Sequence, residues 1–129
     1  MVTTTEVGQL AGECTLWIDT LKSFKQQFTN HKNLLQQHSA EQTQHDVLLE
    51  VEHLHNQFHI QLINIHDLKQ GVKRHMQDMS YERSKNTGTF SDDVLAKHEY
   101  LYDEFQRLES TLNIISREFD RFVKYIGAR

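Results

Sequence analysis

Hydrophobic residues recur along most of this chain at alternating steps of three and four. Val7, Leu10, Cys14, Trp17, Leu21, Phe24, Phe28, His31, Leu35 and His38 form one unbroken series. Such spacing is the a/d stripe of an α-helix that packs along its length on neighbouring helices. Thr3 and Glu6 have the spacing of a capping box, with Val2 and Val7 placed as its hydrophobic staple. The pattern predicts a first helix over residues 4–38.

A second series comprises Leu48, Val51, His55, Phe58, Leu62, Ile65, Lys69, Val72, Met76 and Met79. Val47, Leu54 and Leu68 lie beside it and widen it. Ser39 with Gln42, or Thr43 with Asp46, can cap its start, giving a helix over 41–82. Gly71 interrupts the composition but not the phase, so the helix continues, weaker by about 1 kcal/mol than with alanine. The stretch Ser84–Phe90 fits no helical period and reads as a loop. Ser91 then caps a third helix, Asp92 and Asp93 complement its dipole, and Phe90 with Leu95 forms a staple. Its stripe is Val94, His98, Leu101, Phe105, Leu108, Leu112, Ile115, Phe119, Phe122 and Ile126, which predicts a helix over 91–127.

Each helix spans about 50 Å at 1.5 Å per residue. Short connections make neighbours antiparallel, so residues 1–129 form a single domain. The expected fold is all-α: an elongated, antiparallel, up-down-up three-helix bundle with heptad seams. Three helices with Trp17 in the first seam resemble spectrin-type repeats. That resemblance concerns architecture and implies no activity.

Composition narrows the function. Zero proline and five glycines suit long helices, and 37% hydrophobic residues suit a thin bundle with much surface. The net charge of -4 is well mixed, with no basic stripe for phosphates, which argues against nucleic acid. Protonating all nine histidines would bring the formal charge to +5. The lone Cys14 permits no internal disulfide and suits a reducing compartment. Met1–Gly12 lacks the basic start and apolar run of a signal peptide, and no apolar run is long enough to span a membrane. A cytoplasmic protein is expected.

No Gly-rich phosphate loop, paired-cysteine motif or nucleophile elbow occurs, so no catalytic residue is assigned. Cys14 reads as a small core residue and Trp17 as core. The histidines carry the remaining chemistry. His31, His38, His55 and His98 hold seam positions, where an imidazole must find a partner or stay neutral. With tight hairpins, His38 falls level with His45, His31 with Glu50, and His75 with His98, Glu6 and Glu99 lying at that last end. Lys69 can cover the core with its stem while its amine reaches Glu13 or Asp103.

Helix two also carries Glu50-x-x-His53 and Glu52-x-x-His55, with His59 one turn beyond. This spacing sets carboxylate and imidazole on one helix face and makes Glu50, Glu52, His53, His55 and His59 candidate ligands for iron, zinc or manganese. It resembles the Glu-x-x-His motif of di-iron carboxylate bundles. Those bundles repeat the motif on a second helix, which neither helix one nor helix three does here, and the two overlapping copies share one turn. The histidine and carboxylate pattern of hemerythrin is also missing. The competing reading makes the seam histidines buried polar spacers that set register.

Leu49, Ile60 and Ile63 lie off the helix-two stripe and suggest a face for a second copy around a two-fold axis. The leading expectation is therefore a non-enzymatic helical bundle acting through protein–protein contacts, as a homodimer or with another protein, and needing no cofactor. The alternative is a metal-binding bundle using the His/Glu-rich segment of helix two.

Overall fold

The computed structural model describes residues 4–39, 44–85 and 90–127, the side chains of residues 4–7 excepted. It contains three helices, α1 (Thr4–Ser39), α2 (His45–Lys85) and α3 (Asp92–Gly127), packed up-down-up. The proposed capping box at Thr3 and Glu6, its Val2–Val7 staple, and the cap residues Gln42 and Thr43 lie outside the described residues.

Local hydrogen bonds explain where the described helices stop and start. Ser39 does not cap α2; it closes α1, its hydroxyl donating to the Gln36 carbonyl at 2.8 Å. The Gln44 carbonyl accepts the Leu48 N–H at 3.1 Å, so α2 opens later than residue 41. It then continues to Lys85, taking in Ser84 and Lys85 from the expected loop. At α3 the predicted cap holds, with the Val94 N–H donating to Ser91 Oγ at 3.3 Å. Glu82, near the end of α2, accepts from both the Ser91 N–H and its hydroxyl at 2.8 Å each. The two helices are thereby pinned to one another at their turn.

Among the described side chains, those of the α1 and α3 stripes are buried or partly buried, as the spacing predicts. In α2 the buried face is rotated. Val47 is 2% exposed, whereas Leu48 is 39% exposed. Leu54, Gln61 and His75 likewise lie deeper than their neighbours His55, Leu62 and Met76. The reason is position: α2 packs against both α1 and α3, so its apolar arc is wide and is centred between the two partners. Gly71 leaves α2 continuous, and a methyl there would sit 3.8 Å from the Leu101 side chain.

Two aromatic levels fill the bundle. At one, Phe28, Phe58 and Phe119 meet edge-on, with Phe58 5.3 Å from each of the other two ring centres, and His31 lies 4.4 Å from Phe119. At the other, Trp17 lies 4.8 Å from the His98 ring and 5.9 Å from Phe105. Each buried Phe or Leu contributes about 1.5–3 kcal/mol by leaving water. The first level also corrects the register, because His31 is level with Phe58 and not with Glu50. Among the described residues, no helix is long and apolar enough to cross a membrane.

Candidate metal centre

Each helix sends one potential ligand to a common point near the Trp17 level. Cys14 comes from the α1 stripe, His75 from the rotated α2 stripe and His98 from the α3 stripe. Their exposures are 0%, 1% and 6%, and their ligand atoms all lie within 4.8 Å of one another. His98 Nδ1 is 3.0 Å from His75 Nε2 and 3.8 Å from Cys14 Sγ. On the other side of the ring, His98 Nε2 is 2.7 Å from Glu13 Oε2. The carboxylate accepts from this nitrogen and so holds the proton there, which leaves the Nδ1 lone pair facing Cys14 and His75.

Burial pushes the Cys14 thiol up to about 12, with the Glu13 carboxylate adding to the effect. Burial likewise pushes His75 down to about 4, and the His98 ring adds to it. His75 Nδ1 is buried and has no hydrogen-bond partner among the described residues. The order thiol, imidazole, carboxylate has the connectivity of a nucleophilic triad. A fully buried thiol held in its protonated form is nonetheless a poor nucleophile.

The donor set is better suited to a metal. Zinc bonds of about 2.3 Å to sulfur and 2.0–2.1 Å to nitrogen, in a tetrahedron, put ligand atoms roughly 3.6 Å (S–N) and 3.3 Å (N–N) apart. The observed 3.8 and 3.0 Å are within a few tenths of those values. A carboxylate on the outer nitrogen of a ligating histidine is the usual support for such a ligand. A doubly charged ion, one thiolate and Glu13 would also sum to near neutrality, which a buried site requires.

The pairing of His75 with His98 is the one the antiparallel register predicts. Cys14 and Glu13 were not anticipated at the site, although both precede Trp17 on the same stretch of α1. They reach His98 only because α1 is displaced along α2 from its tight-hairpin register. Glu99, expected at this end, is exposed.

The helix-two segment is only partly assembled. Glu50 and His53 meet Glu118 of α3, with His53 Nε2 2.9 Å from Glu118 Oε1. Glu52 and His59 are exposed and His55 is half-buried, and these three do not join that group. Glu50 to His59 run over almost three turns at 3.6 residues each, and the five candidates are spread around the helix, so only the i, i+3 pair facing α3 converges. Glu118 was missed, though the register that pairs His75 with His98 also sets His53 opposite it. The surface-facing pair is worth little by itself.

Two further seam groups depart from expectation. Among the described residues Lys69 makes no ion pair with Glu13 or Asp103; burial, and after it the neighbouring Lys25, Lys73 and Lys22, lower its pKa. His38 lines a hollow with Phe119, Asp120 and Val123 of α3, while His45 is exposed. Comparison with protein-family models, with curated proteins and with solved structures finds no match to this chain.

Proposed function

We propose that the protein binds one transition-metal ion of the zinc class where its three helices meet, with Cys14, His75 and His98 as ligands and Glu13 orienting His98. The observation that supports this reading is one buried ligand from each helix, at spacings close to those of a zinc tetrahedron. Three ligands leave the fourth position of a tetrahedron to a water or another donor; the burial of Cys14, His75 and His98 closes that position to bulk solvent, which favours an ion that staples the helices. A free thiol as ligand also suits a reducing compartment such as the cytoplasm.

Elemental analysis of untagged protein grown with zinc should find about one ion per chain. Cobalt substitution should give a thiolate-to-metal absorption band, and Cys14→Ser should lose both signals. Metal-free, folded protein, or a Cys14→Ser variant that binds as well as the parent, would sink the reading. Metal lost instead in Glu118→Gln would move the site to Glu50, His53 and Glu118.

A second reading is action through protein–protein contacts, as a homodimer. It is favoured by Leu49, Ile60 and Ile63, large apolar residues exposed on α2 away from the bundle seam. Light scattering would then give a dimer mass that falls to the monomer in an Ile60→Glu, Ile63→Glu double variant. A monomer at every concentration would remove it.

A further inference from the structure

A surface hollow of about 530 Å³ lies between α1 and α3, on the outer side of the His98 ring. The volume is within the roughly 300–1,000 Å³ range of small-molecule sites. Leu16 and Leu95 form its apolar sides, the exposed Tyr102 ring supplies aromatic surface beside the nearly buried Trp17, and Glu13 and Glu99 supply two carboxylates. The Trp17 and Tyr102 rings are stacked 6.0 Å apart. Among the described residues no lysine or arginine lines this hollow. The groove between α2 and α3 differs, since Lys97 and Arg107 line it together with Asp67 and Glu104.

Charge distinguishes the two carboxylates. Glu13 is already engaged, taking hydrogen bonds from Gln9 at 3.4 Å and from His98 at 2.7 Å. Glu99 is exposed and makes no ion pair among the described residues. An apolar hollow with aromatic faces and an unbalanced carboxylate at its edge has the chemistry that recognises an organic cation. An anion would be repelled by both glutamates, and a neutral molecule would leave Glu99 unpaired.

We propose that this hollow is a binding site for a lipophilic organic ammonium ion, its apolar body on Leu16, Leu95 and the aromatic rings and its charge toward Glu99. The proposal stands whether or not the neighbouring centre holds metal.

Trp17 is the only tryptophan in the chain and lines the hollow, so its emission reports occupancy directly. Full-length protein is titrated with benzyltrimethylammonium, and in parallel with benzyl alcohol and phenylacetate as neutral and anionic probes. A saturable change with the ammonium probe alone is expected. Glu99→Gln should weaken it roughly fivefold, the worth of one partly exposed charge pair, and Glu99→Lys should abolish it. Glu99 is exposed, so unchanged helical circular dichroism should accompany both variants. Equal binding of benzyl alcohol, no saturable response, or an undiminished response in Glu99→Lys would overturn the proposal.

Discussion

Among single residues, His31 is the one whose surroundings fit it least. Both ring nitrogens are buried without a partner among the described residues, and Phe28, Phe58 and Phe119 surround the ring. Burial lowers its pKa, while the nearby Asp120 carboxylate partly opposes the shift. A lowered folded-state pKa means that the unfolded chain takes up the proton first as pH falls. His31 therefore costs nothing extra above the ordinary histidine value of 6.5 and costs progressively more as the pH drops through it. Its unmade hydrogen bonds cost stability at every pH. His31→Leu is expected to stabilise the protein by about 1–2 kcal/mol near neutrality, and by more below the histidine range. Urea unfolding at a pH above and a pH below that range checks both parts. A destabilised variant would show that the ring has a partner the described contacts do not include. The periodicity gave the position of His31 but not the ring's isolation, because a 3-4 count cannot tell which residues meet at one level.

At the scale of elements, helix ends and helix faces were legible to different degrees. The start of α3 was readable because the Ser91 cap acts within one turn of the helix it opens. Ser91 also ties α3 to Glu82 of α2, a contact ten residues of sequence could not reveal without the turn between them. Ser91→Ala removes the cap and one of the two bonds to Glu82. It is expected to cost about 1–2 kcal/mol in thermal unfolding, while Asp92→Ala nearby should cost less. The buried face of α2 was misjudged by one residue. Two 3-4 series share Val51, Phe58, Ile65, Val72 and Met79, and the choice between Leu48 and Val47 as the companion set depends on which neighbours flank the helix.

At the scale of the whole molecule, the feature with most consequence is the junction of Cys14, His75 and His98. An ion there would join residues from all three helices, so its binding energy would add directly to the stability of the bundle. It would matter most for the contact between α1 and α3, the two helices that pack least on one another. The register that builds the junction is the one that also brings Phe28, Phe58 and Phe119 together at the other aromatic level. Loop length alone placed α1 short of that position.

The sequence by itself determined the helical class, the number of helices, their antiparallel order and most of their buried residues, including the pairing of His75 with His98. These follow from hydrophobic spacing and from caps, which act over a few residues. Tertiary structure alone decided the register of α1, the rotation of α2, the surroundings of Lys69 and His31, and the convergence of Cys14 and Glu13 on His98. Sliding one helix past another by a turn leaves its own pattern unchanged. The side chains that meet across the interface change completely, and only the packing of all three helices together selects among them.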